Sequence, residues 1–178
     1  MILWIIGLFV ILTFVSWLVI SKPVLKWICG IISTLVLLAA IIGLSMNMSN
    51  HYGMKKVTTV TTTEVHSITP AISPVKAVAV KKIGTDNYVL VYKDKSTDAK
   101  PSAHFVPNKK DIVEAVKQRS TYRIGSGEKA YVKTSKTTWK YSSKLMKDLF
   151  DVGNETKENT VSIKNEMIVP NNWQVIKK

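Results

Sequence analysis

"SNHYGMKKVTTVTTTEVHS", residues 49–67, is where the character of the chain changes. Residues 1–50 hold only two charged side chains, Lys22 and Lys26. Residues 51–178 hold the other 23 Lys and Arg against all 12 acidic residues, so +11 of the chain's +13 lies there. The stretch passes from His51-Tyr52-Gly53 through two lysines into a Thr-Val run whose composition suits a pleated strand. Both faces of that run are largely polar, which predicts an exposed or edge strand lifting a domain off a bilayer. An apolar membrane segment followed by a basic polar domain is the organisation implied.

Upstream lie two uncharged stretches, "MILWIIGLFVILTFVSWLVI" (1–20) and "WICGIISTLVLLAAIIGLSM" (27–46). Roughly 20 apolar residues at 1.5 Å each cross a hydrocarbon core about 30 Å thick, and a helix satisfies its own backbone there. We therefore expect spans at about 2–20 and 27–46, forming a transmembrane hairpin over residues 1–48. The joining "SKPVLK" carries helix-breaking Pro23, and Trp17 and Trp27 flank it as interfacial aromatics do, with Trp4 and Tyr52 marking the opposite interface. The first stretch lacks a basic start and a small-x-small cleavage site, which argues against a cleaved signal peptide. Gly30, Ser33, Ala39 and Gly43 are small residues that let helices approach, and packing within the hairpin is favoured over a dimer motif. The single cysteine, Cys29, rules out an intramolecular disulfide and reads as a buried, inert thiol. Lys22 and Lys26 in the short loop favour that loop inside the cell, so the domain at 51–178 is expected outside it. Lys55 and Lys56 oppose this assignment, but long domains translocate largely regardless of charge.

Within 51–178 the pattern predicts a small α+β domain, mainly antiparallel, with one or two short helices. "VKAVAVKKIG" and "NYVLVYKD" form a hairpin around Gly84–Asn87 and the centre of the fold. Asn108 is expected to cap a helix in "KKDIVEAVKQR" with Ile112, Val113 and Val116 on its apolar face. "TYRIGSGEKAYVK" reads as a second hairpin turning at Gly125-Ser126-Gly127. "SSKLMKDLFDVG" reads as a helix that buries Leu145, Met146, Leu149 and Phe150 and stops at Gly153. "NTVSIKNEMIV" is a late strand, and "NWQVI" finishes the sheet.

Catalytic patterns are absent. His51, His66 and His104 have no metal-ligand spacing, Gly125-Ser126-Gly127 lacks a phosphate-loop lysine, and the carboxylates form no assignable acid–base pair. No cofactor is expected. The positive signal is electrostatic: Lys129, Lys133, Lys136, Lys140, Lys144 and Lys147, interleaved with Tyr131, Trp139 and Tyr141, are candidates for binding a polyanion. The plainer reading is a solvated sheet face with inward aromatics. Arginine, the better bidentate phosphate reader, occurs only at Arg119 and Arg123, so no specific nucleic-acid partner is expected.

Two N-terminal spans followed by "HYGMKKVTTVTTTEV", with a late "VPNNWQVI", resemble an uncharacterised family of small two-span membrane proteins of lactic acid bacteria. The resemblance implies a bacterial cell-membrane protein and supplies no catalytic residues. The expected function is a non-enzymatic envelope accessory whose partners are the lipid bilayer and either a membrane protein or an anionic envelope polymer. The alternatives are an envelope enzyme with a noncontiguous site, or a cytoplasm-facing polyanion binder if the topology is reversed.

Overall fold

The computed structural model describes residues 1–70, 72–108, 110–151 and 159–178. The chain divides into two compact units, one of Met1–Lys56 with Trp139–Asn159, the other of Val57–Thr138 with Thr160–Lys178. Two long strands, at Met54–Val65 and Ala130–Tyr141, contribute residues to both units.

The first unit is built on helices α1 (Ile2–Leu18) and α2 (Pro23–Asn50). Pro23 stands in the first turn of α2, where its missing N–H and fixed φ cost nothing. The helices pack at Gly30, where an added Cβ would lie 2.8 Å from the Trp17 ring. Trp17 and Trp27 meet edge-to-face with centroids 5.2 Å apart. Ser16, Ser33 and Thr34 return their hydroxyls to helix carbonyls, so these polar groups are satisfied without water. At 28 residues, about 42 Å long, α2 is long and apolar enough to cross a membrane. With 17 residues, about 25 Å, α1 is the shorter apolar helix.

Where α2 ends, His51 takes the left-handed C-cap conformation (φ 56°) and Gly53 follows at φ 79°. Gly53 is required twice over, since an added Cβ would also come within 2.9 Å of the Met146 sulfur. Its carbonyl accepts from the Ser142 amide and hydroxyl at 2.9 and 2.8 Å. Helix α4 (Lys144–Phe150), capped by the Ser143 hydroxyl, buries Phe150 near Gly43. Its last-turn carbonyls at Asp148 and Leu149 accept from the Met1 ammonium at 2.9 and 3.2 Å. Leu145 is exposed rather than buried, and Met146 and Leu149 are half-buried. Gly153 lies outside the described residues.

The second unit holds two four-stranded sheets. One has the order β1-β6-β7-β5, from β1 (Met54–Val65), β6 (Ala130–Tyr141), β7 (Thr160–Pro170) and β5 (Gln118–Gly125). The other is β4-β3-β2-β8, from β4 (Ser102–His104), β3 (Tyr88–Tyr92), β2 (Ala77–Lys82) and β8 (Gln174–Lys177). Their inner faces close on one core: Val65, Val132, Met167 and Val169 from the first sheet, Val78, Val80, Leu90 and Tyr92 from the second, and Trp173 beside them. A polar chain ties three strands of the first sheet to the β2–β3 turn. Thr134 donates to Asn165 Oδ1 (2.9 Å), Asn165 Nδ2 reaches Ser120 Oγ (3.4 Å), and the Ser120 amide donates to Asn87 Oδ1 (2.8 Å).

The β2–β3 hairpin forms as expected, with Val80 opposite Leu90. β1 is an edge strand, exposed on both faces from Thr58 to Glu64. Other expectations are corrected. β5 and β6 are not a hairpin, because β7 lies between them, antiparallel to β6 and parallel to β5. "NWQVI" joins the second sheet, parallel to β2. The helix at 109–119 shrinks to α3 (Ile112–Lys117) and is capped by Asp111, whose carboxylate accepts from the Glu114 amide. Asn108 instead accepts from the Lys110 amide in the preceding turn. Gln118 and Arg119 pair with Ile163 and Lys164, so sheet pairing takes the residues that helix propensity claims. The apolar residues of α3 point outward, with Ile112, Val113 and Val116 between 66% and 75% exposed.

Candidate functional site

Strand pleating sorts the lysine run by parity, since successive side chains alternate faces. In β6, Val132 and Thr134 lie opposite Met167 and Asn165 on the inner face, and Lys136 follows them on that side opposite Ile163. Lys133 is on the outer face, opposite Glu166. Lys129 precedes the strand and pairs with Glu64 at 3.0 Å. Lys140 lies beyond the register shift at Thr137/Thr138, while Lys144 and Lys147 are on α4. Lys140, Lys144 and Lys147 thus belong to the first compact unit and Lys129, Lys133 and Lys136 to the second. Lys133 and Lys136 thus lie on opposite faces of the sheet.

Register brings other cations to Lys133. Across β5, β7 and β6 the outer face reads in three rows: Arg119–Lys164–Ser135, Thr121–Glu166–Lys133 and Arg123–Ile168–Tyr131. Arg119, Lys164 and Lys133 are exposed, and among the described residues they carry no ion pair. Arg123 Nε and Glu166 Oε1 are 3.0 Å apart. Directly opposed like charges destabilise a sheet, and Arg119 beside Lys164 is such a pair. Neighbouring strands stand about 4.8 Å apart and alternate residues about 7 Å, so Arg119 with Lys164, and Lys164 with Lys133, fall within one Debye length of about 8–10 Å. The signal that sequence reasoning missed is the two-residue spacing of Arg119-Thr121-Arg123, which marks one face once the segment is known to be a strand.

The aromatics of the run have particular partners. Trp139 stacks on the His51 ring (centroids 4.4 Å apart, 15° between planes), with the Lys56 ammonium 5.1 Å from its centroid. This cation–π contact belongs to the turn after α2 and leaves Trp139 half-buried.

The second sheet gathers a histidine with oxygen ligands. His104 Nε2 lies 2.8 Å from Ser102 Oγ and 3.6 Å from Asp94 Oδ1, and its ring stacks on Tyr92 at 3.9 Å. Nucleophilic catalysis needs the serine on one ring nitrogen and the orienting carboxylate on the other. Here both meet the same nitrogen, on an exposed strand end. Burial, with the nearby Asp94 charge adding to it, pushes the Tyr92 phenol up to about 12, so it stays neutral. His66 exchanges backbone hydrogen bonds with Lys93. An open cleft of about 290 Å³ beside Asp86, Val116 and Arg119 contains no histidine. Among the described residues, no three His, Cys, Asp or Glu side chains are placed to share a metal ion.

No curated protein and no solved structure matches this chain. Residues 22–178, which begin after α1 and include α2 and both sheets, match the family described as Domain of unknown function (DUF4811). The chain belongs to the DUF4811 family.

Proposed function

We propose that this is a non-enzymatic accessory protein of the bacterial cell envelope, with the outer face of its first sheet attracting anionic envelope polymers. In this reading α2 crosses the membrane and α1 is a second, shorter span packed against it. The deficit of about 5 Å relative to a 30 Å core is met by local thinning or by its flanking residues. The two-sheet unit stands outside the cell, as the loop lysines Lys22 and Lys26 favour. A lactic-acid-bacterial source is the one its resemblance implies.

The observation that carries the proposal is the unpaired Arg119–Lys164 pair one row from Lys133. Such an arrangement costs stability when empty and is relieved by a bound anion. The test uses the full chain in phosphatidylcholine nanodiscs with polyphosphate as the probe. Binding is expected to weaken steeply with salt, and Arg119→Gln with Lys164→Gln is expected to flatten the log–log salt slope by roughly 0.7 per cation removed. An unchanged slope in a folded double variant would rule out this face. Topology is tested by Ser102→Cys in a Cys29→Ser background, because Ser102 is exposed. It is expected to react with a membrane-impermeant thiol reagent on intact cells, and labelling only after lysis would place the domain inside.

A further inference from the structure

We propose that the cleft beside α3 binds one repeat of a polymer whose phosphates alternate with hydroxyl-bearing units, a polyol or sugar phosphate. This rests on the reading that the outer face of the first sheet attracts an anionic polymer, and it names the chemistry of that polymer. The cleft, of about 290 Å³, lies within the second unit, between the β2–β3 turn and the junction of α3 with β5. Small-molecule sites occupy roughly 300–1,000 Å³, so this one suits a single repeat unit. Its walls are tied together. The Ser120 amide donates to Asn87 Oδ1 at 2.8 Å, which holds the turn against β5 before any ligand arrives.

Three features select the ligand. First, Arg119 lines the cleft and also begins the outer-face row Arg119–Lys164–Ser135, so a chain held on that row has a unit within reach of the cleft. Second, Asp86 lines the same cleft, and among the described residues neither Asp86 nor Arg119 is ion-paired. An ionised carboxylate accepts hydrogen bonds and donates none, so Asp86 repels bare phosphate and holds a group that brings its own proton. A hydroxyl does this without adding charge. An ammonium would also satisfy Asp86, but Arg119 lines the same cleft and Lys164 is its cross-strand neighbour, so the neutral donor fits better. Third, the remaining lining is neutral. Thr85 and Gln118 carry groups that both donate and accept, as hydroxyls require of their partners, while Ala115 and Val116 supply an apolar wall for C–H groups.

The test is calorimetry on the full chain in phosphatidylcholine nanodiscs, with polyphosphate, poly(glycerol phosphate) and poly(glucosyl phosphate) matched in charge. At least one hydroxylated polymer is expected to bind about fivefold more tightly than polyphosphate, and the tighter of the two tells polyol from sugar. Asp86→Ala is expected to weaken that polymer about fivefold and to strengthen polyphosphate about twofold, since it removes an acceptor from one and a repulsion from the other. Thr85→Ala, at a second exposed turn position, is expected to weaken only the hydroxylated polymer, by about twofold. Both variants are expected to keep the parent's melting temperature, and if Asp86→Ala does not, Thr85→Ala decides alone. Strengthening of every polymer by Asp86→Ala overturns the inference, because the carboxylate then acts through charge alone, and it leaves the cationic face standing. Equal affinity of the parent for all three polymers overturns it in the same way. Binding of none of them overturns both the inference and the reading it rests on.

Discussion

In α2 the residues turned inward are Gly30, Ser33 and Asn47, while Leu35, Leu38 and Ile42 are exposed. In β7 the order is reversed, with Met167 and Val169 buried and Lys164 exposed. Both segments are rich in aliphatic residues, so composition does not separate them. With α2 crossing a membrane, as we propose, what differs is the medium each outer surface meets. Between helices in lipid there is little hydrophobic gain, and close backbone approach at small residues decides the packing. Between sheets in water, removal of apolar area from solvent decides it.

That contrast is easiest to break by equal truncations in the two regions. Leu90→Ala, at a fully buried position between the sheets, is expected to destabilise the second unit by about 2–5 kcal/mol. If α2 crosses the membrane as proposed, Leu35→Ala on its outer face is expected to change stability in lipid little, because the lost contacts would be to acyl chains. Paired urea titrations in nanodiscs compare them, and equal losses would mean that Leu35 packs against protein. Smaller in effect is Gly30→Leu, which drives a side chain into the Trp17 ring and is expected to cost about 1–3 kcal/mol of hairpin packing, read from Trp17 fluorescence and protease sensitivity.

The Tyr92 phenol sharpens the second half of the comparison. Its folded pKa, about 12, lies above the unfolded value of 10.0. The neutral phenol therefore contributes stability that is complete below pH 10 and is lost as pH rises from 10 to 12. With part of the shift screened, the loss is about 1–2 kcal/mol. Tyr92→Phe should abolish that component of the alkaline fall, measured as the difference between the two proteins' melting temperatures over this window. Least of all, Thr61→Ala on the two-sided exposed strand β1 is expected to shift stability by no more than about 0.5 kcal/mol.

Local patterns were legible in the sequence. The apolar helix at 27–46, the edge strand after Gly53, the hairpin around Gly84–Asn87 and the late strand are all present. The rest depended on pairings between distant residues. β7 enters between β5 and β6 although it follows both in the chain, and nothing in "RIGSGEKAY" announces a guest strand. The Asn165–Ser120–Asn87 chain likewise joins residues that no local pattern relates. Lys133 and Lys136 divide between two faces for a simpler reason. The lysine run's steps of four, three and four residues from Lys129 to Lys140 would align on a helix, but they change parity on a strand. Lys133 and Lys136 therefore part company, and Arg119 and Lys164 take up the neighbourhood of Lys133.

Those two lysines supply the most direct measurement. They stand three residues apart on one strand, both exposed, on opposite faces of the sheet. Lys133→Glu and Lys136→Glu remove the same charge from the same lysine run, so net charge cannot distinguish them. Polyphosphate binding to each full-length variant in phosphatidylcholine nanodiscs, at low salt, isolates the face. The expected result is a loss of about tenfold for Lys133→Glu and a change of less than about twofold for Lys136→Glu. Equal losses would contradict the account, because the polymer would then be reading the density of lysine along the chain and not the register of the sheet.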